Sequence, residues 1–203
     1  MENKKIIILG TAHGINTAGK RSPDGKFREY KFSRTVVAKV KTKLETLGYK
    51  VFVDITDDVV PASQSTELRK RVNIVNNYCK QYGTSNCLYV SIHVNAAGHG
   101  TWLNARGFSV FVSPNSSLSS KKLAKIFTMN AIRDGLSGNR SIPYEKYWTS
   151  NLYVLRNTYC PAVLTENLFQ DNKEDVAFLM SEKGVETIVN LHVNSINEYC
   201  TTI

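Results

Sequence analysis

Four side chains at the ends of apolar segments have the types needed for metal-assisted hydrolysis. His13 lies just past the apolar run 6–9, and His93 directly follows the run 87–92. Glu166 directly follows residues 162–165, and Glu29 opens a helical pattern. Two imidazoles and one carboxylate, with a fourth position left to water, form a catalytic zinc donor set. A carboxylate beside such a metal but not on it has the chemistry of a general base. The residue types leave open which glutamate takes which role. Each residue also has an ordinary structural use. A histidine after a strand is commonly a capped, partly buried polar group. Glu29 suits the positive end of a helix dipole, and Glu166 suits an exposed loop. His99, in the run 96–106, and His192, inside the last helical pattern, are assigned such ordinary uses.

The elements that must position these groups alternate along the chain. Residues 5–9 read as a buried strand, followed by a loop over 14–28 rich in Gly, Lys and Arg. A helix is expected over 29–47, with Phe32, Val36, Val40, Leu44 and Leu47 on one stripe and Gly48 as its stop. A second strand follows at 51–55, then a helix marked by Leu68, Val72, Val75 and Cys79 and closed by Gly83. Strands at 87–92 and 107–112 precede a helix over 116–132 and a long surface loop over 136–151. Residues 152–156 and 162–165 read as short strands, and helices near 173–180 and 184–199 finish the chain. The pattern predicts an α/β fold in which residues 1–203 form a single domain. Its sheet is mostly parallel and twisted, with about six strands and helices on both faces. In such a sheet the carboxyl ends of parallel strands share one edge, and ligands bind in the crevice there. His13, His93 and Glu166 then converge on that edge, with Glu29 at the start of the helix after the first strand.

Composition narrows the class without deciding the function. The 203 residues suit one domain with a core of its own, and 42% apolar with 21% charged residues is ordinary for a globular protein. Lys and Arg number 26 against 17 Asp and Glu, a net charge of +9. That surplus favours encounter with polyanions, whether nucleic acid, anionic membrane or bacterial wall polymer. Cys79, Cys87, Cys160 and Cys200 lack CxxC spacing and sit among apolar neighbours, so buried free thiols are expected rather than a disulfide framework. The run after the polar lead 1–5 is too short for a signal-peptide core, and no stretch reaches the ~20 apolar residues of a membrane span. The expected product is made in the cytoplasm without a signal peptide.

Five motifs in order add a resemblance. These are Ile6-Ile7-Ile8-Leu9-Gly10-Thr11-Ala12-His13-Gly14, Arg28-Glu29-Tyr30, Gly48-Tyr49-Lys50-Val51, Val90-Ser91-Ile92-His93-Val94-Asn95-Ala96 and Pro161-Ala162-Val163-Leu164-Thr165-Glu166. Together they resemble the zinc-dependent N-acetylmuramoyl-L-alanine amidases of the amidase-3 family over almost the whole chain. The sharpest match is Ser91-Ile92-His93-Val94-Asn95, similar to the family's Ser-Ile-His-x-Asn signature. Two departures stand out. Gly10-Thr11-Ala12 replaces an acidic or asparagine residue and a proline before the first histidine, and Glu166-Asn167-Leu168-Phe169 stands where Glu-x-Gly-Phe is commoner. The runs 20–25 and 100–107 resemble a phage or prophage lysin branch.

The resemblance implies one Zn2+ held by His13, Glu29 and His93, with Glu166 as catalytic base. It implies hydrolysis of the amide between N-acetylmuramic acid and L-alanine in peptidoglycan. Arg21, Arg28, Asn95, Trp102 and Arg106 are expected substrate contacts, with Tyr144 and Trp148 as further aromatic surfaces. The expected partner is peptidoglycan, met by a monomer without a separate wall-binding domain, at the wall after release or export. Nucleic acid is not expected, because the basic residues are scattered and no nucleic-acid motif occurs. A zinc peptidase cutting within the stem peptide and a non-catalytic peptidoglycan-binding module remain as alternatives.

Overall fold

Two apolar runs set up the middle of one six-stranded sheet. Ile7, Ile8 and Leu9 of β1 (Ile6–Thr11) are fully buried, as are Leu88, Tyr89, Val90 and Ile92 of β3 (Cys87–Asn95). Strands covered on both faces need such continuous apolar runs. In the computed structural model, which describes residues 4–202, these strands pair with β2 (Lys50–Val53), β6 (Ala162–Phe169), β4 (Ser109–Val112) and β5 (Trp148–Thr149) in the order β2-β1-β3-β6-β4-β5. The part of the expected polar lead at residues 1–3 lies outside the described residues. The first four strands in that order are parallel, β4 runs antiparallel to β6, and β5 is parallel to β4.

Helices cover both faces, as the alternating pattern predicts. α1 (Glu29–Thr46), α3 (Leu118–Arg133) and α6 (Glu182–Thr201) bury Val36, Phe127 and Ile188 against one face. α2 (Gln64–Tyr82) and the single turn α4 (Tyr153–Arg156) bury Val75 and Leu155 in a smaller core on the other. α5 (Lys173–Leu179) is capped by Asn172, whose side chain accepts from the amides of Glu174 and Asp175. From β1 the chain passes through α1 to β2 on one side and then through α2 to β3 on the other. That reversal opens a crevice at the carboxyl ends of β1 and β3. Cys79, Cys87 and Cys160 are buried free thiols, as expected, whereas Cys200 is a free thiol that keeps partial exposure.

Several boundaries differ from the sequence expectation. Residues 152–156 form α4 instead of a strand. A four-residue apolar run fits either periodicity, and here Val154 and Leu155 turn together onto the α2 face. The expected loop over 136–151 contains the short edge strand β5. Strands β3 and β6 run past their apolar segments, because their backbones keep pairing where polar residues begin. His93 and Glu166 therefore lie inside strands, directly opposite one another. Beyond them the ladder shifts, so that Asn95 faces Phe169, and β6 carries an extra residue. Leu168 in this bulge has φ 67. This is the position where glycine is commoner, and a left-handed backbone explains that preference. Leu168 keeps the conformation while its side chain is buried in the larger core.

Candidate active site

The site is assembled from one sheet row, one helix start and one strained turn. In the row, Ser109 of β4 faces Glu166 of β6, which faces His93 of β3. Side chains of directly paired residues share a face of the sheet. Glu29 enters from the first turn of α1. A small hairpin, closed by the Arg21–Arg28 bridge and a Ser22 amide bond to the Phe27 carbonyl (3.1 Å), leads into it. Buried Phe27 anchors that hairpin, and the Glu29 amide donates to the Lys20 carbonyl at 3.2 Å. The Glu29 side chain is 1% exposed. Its Oε1 accepts from the Val94 amide at 3.1 Å and lies 3.1 Å from His93 Nδ1 and 3.6 Å from His13 Nε2.

His13 completes the cluster from a left-handed backbone (φ 44). For a side chain of this size that conformation is strained, and strain of this kind persists only where surrounding contacts over-determine it. Two arginines supply those contacts. Arg34 Nη2 (3.0 Å) and Arg71 Nη2 (3.3 Å) both donate to the His13 carbonyl, and Arg34 Nη1 donates to the Ala12 carbonyl. Arg71 is itself fixed. It donates to both Asp54 oxygens at 3.0 Å and to Glu67 at 2.9 Å, while the buried Tyr89 hydroxyl donates to Asp54. Gly10 makes this possible, because a Cβ there would lie 2.4 Å from the Tyr89 hydroxyl.

Protonation favours coordination. Burial lowers the His13 pKa to about 3 against the pull of Glu29, so its ring is neutral at physiological pH. Burial alone would raise the Glu29 carboxyl, but His13 and the His93 hydrogen bond more than reverse this and hold it below the usual carboxylate range. Glu166 goes the other way. Burial first and the Glu29 charge second push it well above the usual range, against Lys20 and Arg140. The Glu166 residue keeps some exposure, but its Oε2 is sealed from solvent and meets no donor. His13, His93, Lys20 and Glu166 line a cavity of about 200 Å³ whose apolar wall includes Leu68, Leu152 and Leu164.

The residues fit a metal ion. The potential ligand atoms of His13, Glu29 and His93 all lie within 4.8 Å of one another. Glu29 Oε2 is buried and has no hydrogen-bond partner. With His93 Nδ1 turned to the cluster, Nε2 sits 3.1 Å from Ser91 Oγ, the second contact that fixes the ring of a metal-ligating histidine. His192, assigned an ordinary use, lies fully buried beneath Glu166's neighbour Thr165. Its Nδ1 donates to the Ile188 carbonyl, and Nε2 accepts from the Thr165 hydroxyl at 2.9 Å.

The expected substrate contacts separate. Arg21 and Arg28 are exposed on the hairpin next to Lys20. Asn95 spends its side-chain oxygen on the Ala96 amide and its carbonyl on Gln170. Trp102 packs on the larger core beneath Lys173. Arg106 is drawn away from the cavity holding His13 and Glu166: it pairs with Glu174 and lies 3.5 Å from Asp175. Tyr144 is almost fully exposed, and Trp148 packs against Phe111 and Arg140. Lys20, Arg34, Arg71 and Arg140 also stand at or around the site, and nothing local in the sequence marks them.

An α/β sheet with two histidines and a glutamate gathered at its topological switch point, beside a second buried glutamate, has the architecture of a catalytic metal-site domain. Residues 7–198 match the family model for N-acetylmuramoyl-L-alanine amidase, and the chain belongs to this amidase-3 family. An endolysin of Bacillus phage SPP1 is 31% identical over 96% of this chain and 65% of its own length. The N-acetylmuramoyl-L-alanine amidase CwlM of Bacillus licheniformis is 30% identical over 94% of this chain and 66% of its own. The chain thus spans just under two thirds of these curated relatives. An N-acetylmuramoyl-L-alanine amidase from Clostridium difficile 630 shares the fold with a TM-score of 0.83 at 22% identity, covering 99% of both chains. The catalytic domain of CwlV from Paenibacillus polymyxa does so with a TM-score of 0.78 at 23% identity, covering 98% of this chain and 99% of its own. Among the described residues no helix is long and apolar enough to cross a membrane.

Proposed function

We propose that this chain hydrolyses the amide bond between N-acetylmuramic acid and L-alanine in peptidoglycan, with zinc as its metal. The observation that carries this is the convergence of His13, Glu29 and His93 donors beside Glu166, in a member of the amidase-3 family. His13, Glu29 and His93 would hold the ion. Bound there, zinc would supply Lewis acidity for a carbonyl and for water, and positive charge to offset the negative charge around Glu166.

The protein's own groups do the rest. Glu166, as carboxylate, takes the proton of the attacking water and returns it to the alanine nitrogen as the C–N bond breaks. Its position in a strand, opposite His93, keeps it about one interstrand spacing from that histidine. Neutral His13 and ionised Glu29 offer lone pairs without first shedding protons. Leu68, Leu152 and Leu164 exclude water from one side of the cavity. No nucleophilic serine or cysteine is needed, and the thiols at Cys79, Cys87 and Cys160 are buried in the smaller core without lining the cavity.

The proposed setting is the bacterial wall, reached from the cytoplasm by release or export, with a monomer as the working unit. A phage endolysin among the relatives supports the wall as the setting. Exposed Arg21 and Arg28 are proposed to meet the negative charge of the wall polymer. The test is hydrolysis of purified peptidoglycan by native, chelator-treated and zinc-restored protein, with products identified by mass spectrometry. Stem peptides freed with L-alanine amino termini, lost with chelator and regained with zinc, are expected. Cleavage inside the stem would identify a peptidase instead, and zinc-loaded protein that releases nothing would refute hydrolysis.

A further inference from the structure

The row that carries Glu166 ends on a cation with no counter-ion. Ser109 faces Glu166 across the β4–β6 pair, and the Arg140 Nη2 donates to the Ser109 hydroxyl. The guanidinium is held between two rings, 5.1 Å from the centroid of Trp148 and 5.1 Å from that of Phe169. The backbone just before it is pinned. The Asn139 side chain accepts from the Arg106 amide at 3.1 Å and donates to the Asn104 carbonyl at 2.7 Å. Gly138 meets the segment before β4 so closely that a Cβ would lie 2.1 Å from the Arg106 carbonyl oxygen. Arg140 is therefore set in place from four directions, though it is only half-buried.

No carboxylate among the described residues lies within ion-pair distance of Arg140, whereas Arg106 is paired with Glu174 and Asp175. Glu166 acts on Arg140 through space without touching it. A guanidinium that is oriented, partly desolvated and not neutralised is a ready bidentate receptor for a planar anion, and only one of its nitrogens is engaged by Ser109. We propose that Arg140 receives a carboxylate of the stem peptide, on the residue after the L-alanine, and so selects stems that carry a free acid there. The scale agrees. Facing residues across the strand pair are about 5 Å apart, and the arginine extends beyond Ser109, while an extended dipeptide spans about 7 Å.

This proposal rests on the amidase reading, so its test uses two substrates differing only at the proposed contact. One is a muramoyl peptide ending in L-alanyl-D-glutamate, and the other bears D-isoglutamine, with an amide replacing the α-carboxylate. The zinc-loaded wild type is expected to favour the acid in kcat/KM by roughly tenfold to a hundredfold, the range one charge-assisted hydrogen bond supplies. Arg140→Met should collapse this ratio towards one, chiefly through KM for the acid, and Arg140→Lys should restore part of it. Zinc content and melting temperature of each variant report on folding, and Arg140→Lys carries the test if Arg140→Met does not fold. An equal loss on both substrates, or a shifted kcat–pH profile with the ratio intact, would overturn the assignment and make Arg140 a group that acts through Glu166. A wild type without preference would also overturn it. Cleavage of neither substrate by the wild type would overturn the amidase reading and this proposal together.

Discussion

Replacing Glu166 by glutamine should make the metal-free protein more stable, by an amount that grows with pH. Burial and the Glu29 charge raise the Glu166 pKa well above its ordinary value of 4.5, and its sealed Oε2 has no donor to favour the charged form. Above about pH 4.5 the unfolded chain releases this proton, whereas the folded protein keeps it. The native state then binds more protons than the unfolded state, so this group's contribution to stability falls as pH rises. The slope is about 1.4 kcal/mol for each pH unit in which the two states differ by a whole proton. For a domain of this size that is a shift of about 3–6 °C in melting temperature per unit. Glutamine has the same shape and no charge to bury, so Glu166→Gln removes the slope. His13, whose pKa is depressed to about 3, has the opposite dependence, losing stability as pH falls below its unfolded value. That contribution is common to both proteins and cancels in the difference. The assay is urea denaturation of both proteins in chelator at several pH values from 4.5 upward. A difference that widens with pH is expected, and the zinc-loaded variant should bind metal yet lose hydrolysis. A stability difference independent of pH would refute the burial argument, and undiminished hydrolysis would remove Glu166 from the chemistry.

Leu168 offers a test in which the usual order of two substitutions inverts. At an ordinary buried position glycine is worse than alanine by about 0.5–1 kcal/mol. The left-handed backbone at Leu168 costs a residue with a Cβ roughly 1–2 kcal/mol. Leu168→Ala should therefore lose about 2–5 kcal/mol through its cavity, and Leu168→Gly should lose less. Denaturation curves with alanine as the more stable variant would contradict this. Arg34→Met, which removes one of the two donors on the His13 carbonyl, should weaken zinc binding roughly 10–100-fold by chelator competition. Its circular dichroism spectrum should stay native, and an unchanged zinc affinity would show that Arg71 holds the turn alone.

How far the sequence could be read depended on the range over which each feature is encoded. The central strands were legible because apolar runs such as 6–9 report burial on both faces locally, and they placed His13 and His93 on one edge. Glu29 as a ligand was not legible from position alone, since a helix dipole explains the same residue. The family resemblance suggested that role, and the structure adds the meeting of its Oε1 with His93 and the Val94 amide. The pairing of Arg106 was not legible, because its partner Glu174 lies on a helix far along the chain. Arg140 was passed over for the same reason. Its orientation depends on Ser109, Trp148 and Phe169, each on a different strand. The strand expected at 152–156 failed because a short apolar run carries too few residues to establish a period.

The row Ser109–Glu166–His93 makes the sheet a ruler. Its graduations are the hydrogen-bond ladder spacing of about 4.8 Å, which depends on backbone alone and not on what fills the cores or loops. The loops around the crevice can then change without altering the spacing between His93 and Glu166, the proposed ligand and the proposed base. A one-residue slip of β6 is the error this gauge cannot absorb, because it turns every side chain to the opposite face. Asn167 guards against that slip by donating to the His93 carbonyl across the bulge. Loops built around such a row receive that spacing as a fixed length and set only what is brought to it.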